Sequence, residues 1–157
     1  MTHPRLRDEA LAQAIAGGWR LVCWTIEYPA TGRITEPFGP APEGLLIYSP
    51  DGCMSAAMQR PARPRLSRGN VSAVGDAEKA AAFDTCVLYA GRWHADGTEI
   101  HHHVDLAMNP NLLGTRQVRQ ARLRGTELEL TAEEPLEQPG QVRVHRILWR
   151  RMPAPSA

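Results

Sequence analysis

Residues 44–59 read GLLIYSPDGCMSAAMQ, and this stretch carries the strongest signal for a fold in the chain. Two largely apolar runs, residues 44–48 and 53–59, stand on either side of Ser49-Pro50-Asp51-Gly52. A proline followed by Asp-Gly between two such runs is typical of the tight turn in a β-hairpin. The chain is therefore predicted to contain antiparallel strands that are joined by short turns.

Further strands are predicted on both sides of this hairpin, because β-branched and aromatic residues alternate there with polar ones. They cover residues 19–27, 85–93, 98–106, 115–123, 126–131 and 141–150. Helical spacing predicts one short helix at residues 5–16 and another at residues 76–83, with Asp76 as the N-cap of the second.

The predicted strands follow one another mostly as hairpins, and such a set closes naturally into a barrel without exposed edges. We predict an all-β fold: a closed eight-stranded antiparallel barrel with a short N-terminal helix and one short helix in the middle of the chain. A barrel of this size can hold one small ligand, and the long loops at residues 28–42 and 60–74 are expected at its mouth. The alternative is an open sheet wrapped around a helix, but two short helices cannot cover such a sheet.

Composition and charge restrict the classes of partner. The 157 residues include 18 basic and 17 acidic side chains, and the formal net charge is +1. No global positive field would attract nucleic acid or an anionic membrane, so neither is expected as a partner. Residues 1–152 are expected to form one domain and residues 153–157 a flexible tail. The sequence leaves a homodimer open.

The location of the protein and its use of cofactors are also predicted from what the sequence lacks. No apolar run of about 18 residues occurs, and the N-terminal segment lacks the apolar stretch of a signal peptide. Cys23, Cys53 and Cys86 cannot all pair and are expected to be reduced thiols, so a cytoplasmic protein is predicted. The glycine motifs of nucleotide and dinucleotide sites are missing, and no cofactor is expected.

Alternation along the predicted strands decides which side chains face the barrel interior. In residues 99–106 the apolar face carries Ile100, His102, Val104 and Leu106, so His102 is predicted to point inward. The opposite face carries His101, His103 and Asp105, which form either a solvated polar row or part of a zinc site, and no metal is expected there. The inward faces of the other strands carry Leu46, Tyr48, Met54, Ala56, Met58, Gln117, Arg119, Leu128 and Leu130.

His102, Arg119 and Tyr48 are the candidate catalytic residues. An imidazole exchanges protons near neutral pH, so His102 suits general acid–base chemistry, unless it is a hydrogen-bonded core histidine. Arg119 is costly to bury alone, so it pairs with an internal carboxylate, binds a ligand oxygen or reaches the rim; Glu27 is the first guess for the carboxylate. Arg119 or Tyr48 would stabilise negative charge that develops on a reacting oxygen.

Further candidates for ligand contacts are Met54, Met58, Tyr89, Arg60, Glu27, Gln117 and Val104. The methionines offer a soft apolar wall, although such residues also fill cores, and Tyr89 offers a phenol. Arg60 is expected where a strand ends at the mouth. At the closed end of the barrel, Trp19 is expected to lie beneath Arg146 or Arg150 in a cation–π contact.

The opening Gly17-Gly18-Trp19 is similar to the Gly-x-Trp start of the lipocalin and calycin barrels. A closer resemblance is to the bacterial and fungal lipocalin-like domain family, and it extends over residues 17–150. It is carried by Trp19-Arg20-Leu21-Val22, Pro37-Phe38-Gly39, residues 44–52, Met54-Ser55-Ala56, Arg60-Pro61, residues 80–84, His102-His103-Val104, Pro110-Asn111, Gly114-Thr115 and Trp149-Arg150. The resemblance implies an eight-stranded calycin-type barrel with a cavity, and it brings no established catalytic residue.

Members of the family resemble small-molecule carriers, and some stand beside secondary-metabolite pathways as isomerases, cyclases or dehydratases. The favoured function is therefore binding of a small, mostly apolar molecule with one or two polar groups, as a carrier or sensor. The alternative is a cofactor-independent isomerase, cyclase or dehydratase that uses His102 as general acid or base. A third hypothesis is an interaction module whose interior is filled by its own side chains.

Overall fold

The strands of the barrel follow one another in sequence order, and the last of them pairs with the first. The structure is a computed structural model that describes residues 4–156. Its helices are α1 (Pro4–Ile15) and α2 (Asp76–Asp84), and two 3-10 turns lie at Val71–Ala73 and Pro110–Leu112. The strands are β1 (Gly17–Tyr28), β2 (Arg33–Thr35), β3 (Glu43–Tyr48), β4 (Cys53–Gln59), β5 (Cys86–Asp96), β6 (Glu99–Ala107), β7 (Arg116–Arg124), β8 (Glu127–Pro135) and β9 (Val142–Arg151).

Strand β1 closes the barrel, because it forms hydrogen bonds with β3 on one side and with β9, the last strand, on the other. It pairs with β3 at residues 17–20 and with β9 at residues 19–27. The short strand β2 adds three paired residues to the far end of β1 and lies outside the ring of eight. This closed antiparallel barrel, with one N-terminal helix and one in the middle of the chain, confirms the predicted fold.

The core lies inside the barrel, where the inward faces of the strands meet. Ten of the residues that alternation predicts on inner faces are at most 6% exposed. They are Leu46, Tyr48, Met54, Ala56, Met58, Ile100, His102, Val104, Leu128 and Leu130. Removing such apolar surface from water is the main force that stabilises the fold.

Leu106 is the exception: alternation predicts it on the inner face of β6, but it is 66% exposed. The register between β5 and β6 shifts between Ala90 and Gly91, and the partners change there from Leu106 to Val104. A β-bulge offsets the alternation of the strand, so Leu106 turns outward beyond it.

Helix α1 lies against the end of the barrel where β1 begins. Ile15 and Trp19 are fully buried there, and the Trp19 indole N–H donates to the Ile15 carbonyl oxygen at 2.8 Å. The Arg151 guanidinium lies 4.2 Å from the centre of the Trp19 ring. The prediction of Arg146 or Arg150 in this contact is wrong, because both lie on the outer face and form ion pairs with glutamates.

Two features of the outer surface also differ from the sequence predictions. Gly75 is the N-cap of α2, and Asp76 lies in the first turn, where its carboxylate interacts favourably with the helix dipole. His101 is only 6% exposed, although it was predicted in a solvated row. Its ring stacks on His94 with the centroids 4.7 Å apart, and its Nε2 lies 3.1 Å from Glu99.

None of the helices described has the length and apolar character that a membrane span requires.

Candidate functional site

A cavity of about 120 Å³ lies inside the barrel. Most of its wall is apolar and consists of Trp24, Leu46, Ala56, Met58, Val87, Leu112, Leu130, Ile147 and Trp149. The polar part of the wall consists of Tyr89, His102, Gln117, Arg119 and His145. A larger groove on the outer faces of β7, β8 and β9 is open to solvent and lined mainly by polar residues. The internal cavity is the candidate site, because small molecules bind in apolar pockets with a few polar groups.

His102 is held between two tyrosines in the barrel interior. Its Nε2 lies 2.7 Å from the Tyr48 hydroxyl, and its Nδ1 lies 2.8 Å from the Tyr89 hydroxyl. The three side chains come from the inner faces of β6, β3 and β5. A neutral imidazole has one N–H donor and one bare nitrogen, so one tyrosine donates to the ring and the other accepts from it. The hydrogen-bonding capacity of His102 is therefore used within the protein.

Burial keeps these three side chains neutral. Burial, and after it the charge of Arg119, lowers the pKa of His102 from 6.5 to about 3. Burial also raises the pKa of Tyr48 well above its usual value and raises the pKa of Tyr89. At pH 7 the imidazole is an uncharged bridge between two protonated phenols. The low pKa therefore makes His102 a weak base near neutral pH.

Arg119 brings a positive charge to the cavity wall. It lies on β7 opposite Ile100, and its guanidinium donates to the Val118 carbonyl oxygen at 3.1 Å. The expected ion pair with Glu27 does not form, because the register of β1 shifts at Val22 and turns Glu27 to the outer face. Among the described residues, no carboxylate forms an ion pair with Arg119. Arg119 also acts on the Tyr89 hydroxyl, where its charge and a side-chain hydrogen bond oppose the burial that raises the pKa of Tyr89. The N–H groups that Val118 and Tyr89 leave free are available to a ligand oxygen.

His145 on β9 connects the cavity with the mouth of the barrel through a chain of hydrogen bonds. The Trp24 Nε1 donates to His145 Nδ1 at 3.2 Å, and His145 Nε2 lies 2.8 Å from Glu134 Oε2. Arg143 binds the same carboxylate at 2.8 and 2.9 Å and lowers the pKa of Glu134, whereas burial lowers the pKa of His145. Sequence reasoning missed Trp24 and His145, because β1 and β9 are apolar on both faces and alternation does not decide their orientation.

The residues predicted to contact a ligand fall into three groups. Met58, Tyr89 and Gln117 line the cavity together with His102 and Arg119. Tyr48, Met54 and Val104 are buried in the core around the cavity. Glu27 lies on the outer face, and Arg60 is exposed beyond the end of β4, where it donates to the Pro37 carbonyl oxygen at 3.1 Å.

The outer histidines stack on one another across β5 and β6. His94 lies between His101 and His103, with ring centroids 4.7 and 5.1 Å away, and His103 Nε2 lies 3.2 Å from His94 Nδ1. Within residues 4–156, no group of three or more His, Cys, Asp or Glu side chains is arranged to hold a metal ion. These rings therefore contact one another rather than converge on a common point.

Residues 16–152 match the model of the lipocalin-like domain family. The chain belongs to this family. It is also 31% identical over 108 residues to a protein of Aspergillus oryzae named 4'-hydroxy-3'-methoxypropiophenone carrier protein, and the match covers 64% of the chain and 97% of that relative. No solved structure matches the chain at a significant level. A lipocalin-like barrel with an internal cavity supports a ligand-binding role.

Proposed function

We propose that the protein is a carrier for one small aromatic molecule, mostly apolar with one or two polar oxygens, that binds in the barrel cavity. The proposal rests on Arg119, a partly buried guanidinium that faces an apolar cavity without a carboxylate partner among the described residues. The Aspergillus oryzae relative supports this class of ligand, because the molecule in its name is an aromatic ketone.

Arg119 supplies the polar part of the binding energy. A guanidinium that leaves water loses hydration, and the Val118 carbonyl replaces only part of it. A carbonyl, phenolate or carboxylate oxygen on the ligand would accept a charge-assisted hydrogen bond worth about 1.5–3 kcal/mol. The indole of Trp149 and the thioether of Met58 form walls on which an aromatic ring packs.

The cavity must enlarge to admit such a ligand. Its volume is about 120 Å³, whereas pockets for small molecules usually measure about 300 Å³ or more. Trp24 lies on the side of the mouth, with its ring centroid 5.1 Å from that of Phe38 in the loop between β2 and β3. Loops at a binding site commonly open and close around a ligand, and we assign that role to this loop.

The geometry of His102 favours binding over proton transfer. A general acid or base needs a pKa near the working pH and hydrogen-bond access to the substrate. Both nitrogens of His102 face tyrosine hydroxyls, and its pKa is about 3. We therefore assign His102 to the cavity wall, where it fixes the position of the Tyr89 phenol.

Calorimetric titration with 4'-hydroxy-3'-methoxypropiophenone at pH 7.5 tests the proposal. Replacing Arg119 with methionine keeps an unbranched apolar stem and removes the guanidinium, so the affinity is expected to fall about 10- to 150-fold. Arg122→Met is the matched control, because Arg122 is exposed on the same strand. Its affinity is expected to stay within about twofold of the wild-type value.

Native mass spectrometry of the gently purified protein is the second arm of this test. A co-purified aromatic oxygen compound would support the carrier. The proposal fails if no such molecule is carried and the wild type shows saturable binding for neither this ketone nor simple phenols and aryl carboxylates. That result would favour the interaction module, whose interior is filled by its own side chains.

A further inference from the structure

His145 presents a fixed hydrogen-bond acceptor to the cavity. An indole N–H can only donate, so the 3.2 Å contact from Trp24 Nε1 requires a bare Nδ1 on His145. The ring proton therefore lies on Nε2 and is donated to Glu134, 2.8 Å away. Two hydrogen bonds from Arg143 fix the Glu134 carboxylate in turn. A carboxylate in this position fixes the tautomer of an imidazole and keeps the other nitrogen an acceptor.

Trp24 covers this acceptor and occupies space that a ligand ring would need. The rings of Trp24 and His145 stack with their centroids 6.0 Å apart and their planes at 24°, and both side chains line the cavity. The indole also meets Phe38 edge-on at 82°, and Phe38 belongs to a loop rather than to a barrel strand. Trp24 is thus held by one hydrogen bond and two ring contacts, and a ligand with an aromatic ring and a donor group can replace such contacts.

We infer that Trp24 stands in for the ligand: its N–H occupies on His145 Nδ1 the position of a ligand hydroxyl, and displacement of the indole admits a hydroxylated aromatic molecule. The inference rests on the proposed function, because it assigns the second polar contact in the same cavity. Arg119 binds an acceptor oxygen of the ligand, and His145 accepts from its hydroxyl. The cavity therefore selects phenols that also carry a carbonyl or a similar oxygen.

Two probes that differ by a single hydroxyl separate this selectivity from general binding. They are 4'-hydroxy-3'-methoxypropiophenone and 3'-methoxypropiophenone. The second probe is smaller and more apolar, so neither size nor hydrophobicity would explain weaker binding. Calorimetric titration of the wild type at pH 7.5 is expected to show at least about tenfold tighter binding of the hydroxylated probe, which equals about 1.4 kcal/mol.

Variants of His145 test the acceptor. His145→Leu removes it, so the ratio of the two affinities is expected to fall to about 1. His145→Gln offers an amide oxygen, and the ratio is expected to recover to at least about threefold. His145→Met serves the same purpose as the leucine variant if the latter does not fold.

Variants of two tryptophans test the gate. Trp24→Phe removes the competing donor and part of the ring, so both probes are expected to bind about fivefold more tightly. Trp93→Phe keeps an aromatic ring against Tyr48 and removes an indole N–H that donates to the Ser49 carbonyl, and neither Trp93 nor Ser49 lines the cavity. This control is expected to leave both affinities within about twofold of the wild-type values.

Each outcome has a distinct meaning. Equal affinity of the wild type for both probes, or a ratio that persists in His145→Leu, overturns the inference and leaves the proposed function intact. Weaker binding of both probes to Trp24→Phe overturns the role of Trp24 as a stand-in. If the wild type binds neither probe, the inference fails; the proposed function fails as well if simple phenols and aryl carboxylates also do not bind and no aromatic compound co-purifies.

Discussion

The buried neutral state of His102 makes the protein sensitive to mild acid. The unfolded chain binds a proton at this histidine below about pH 6.5, whereas the folded protein binds it only near pH 3. Because the unfolded state binds more protons in this interval, the free energy of unfolding decreases as the pH falls from 6.5 towards 3. Each pH unit is worth about 1.4 kcal/mol, so His102 alone lowers stability by about 2 kcal/mol between pH 7.5 and 5.

Urea unfolding at pH 7.5 and pH 5.0 measures this loss, and two variants isolate the share of His102. The pKa values of His94 and His145 are also lowered, so the wild-type loss contains their contributions as well. His102→Gln and His102→Leu remove only the His102 contribution. In both variants the loss between the two pH values is expected to be smaller than in the wild type by about 2 kcal/mol.

The two variants differ from each other at pH 7.5. Glutamine can still bond to the hydroxyls of Tyr48 and Tyr89, whereas leucine removes the hydrogen bond that His102 makes with each of them, so His102→Leu is expected to be less stable by about 1–3 kcal/mol. If His102→Gln loses as much stability at pH 5 as the wild type does, within about 0.5 kcal/mol, the histidine is not the buried neutral group inferred here.

Two further predictions concern the stability of the barrel. Arg151→Ala removes the cation–π contact with Trp19 and the hydrogen bonds to the carbonyl oxygens of Ala14 in α1 and Ala16 just after it, and chemical denaturation is expected to show a loss of about 1–3 kcal/mol. Arg150→Ala, which removes an exposed ion pair, is expected to lose less than about 1 kcal/mol. A Cβ at Gly91 would lie 1.9 Å from a carbonyl oxygen of β6, so Gly91→Ala is expected to lose more than about 3 kcal/mol or not to fold. Gly69→Ala meets nothing within 4 Å and is expected to change stability by less than about 1 kcal/mol.

The barrel itself could be predicted from the sequence because most strands bury a single face. In β4, Met54, Ala56 and Met58 alternate with more exposed residues, and in β8 Leu128 and Leu130 alternate with glutamates. Such a period of two is a local property, so it can be read without knowing the partners of a strand. The Asp-Gly turns supply the second local signal, because they predict that neighbouring strands are antiparallel.

Bulges account for the orientations that the sequence could not predict. If β1 alternated without interruption from Trp19, Glu27 would face inward and could meet Arg119. The extra residue at Val22 reverses the faces, so that Trp24 and Ile26 point inward and Glu27 points outward. A bulge depends on how a strand fits its neighbours in a curved sheet, and no residue in Leu21–Cys23 marks it in the sequence.

The contacts within the site depend on register between strands that are far apart in sequence. Alternation places Tyr48 and His102 on inner faces, but it does not say that they lie at the same height in the barrel. That height follows from the pairing of β3, β4, β5 and β6 in turn, and each turn and bulge along this path shifts it. The hydrogen bonds from Tyr48 and Tyr89 to His102 are therefore results of the whole barrel rather than of a local motif.

The barrel interior separates the polar groups that hold the fold from those that remain open to a ligand. A protonated His102 would place a second positive charge near Arg119, and its low pKa prevents that repulsion at neutral pH. Arg119 is therefore the charged group among the described residues that line the cavity, while Glu134 keeps His145 an acceptor. Arg119 is a donor at one position of the cavity and His145 an acceptor at another, and apolar side chains lie between them. This arrangement matches an aromatic ring that carries one oxygen to accept a hydrogen bond and one hydroxyl to donate one.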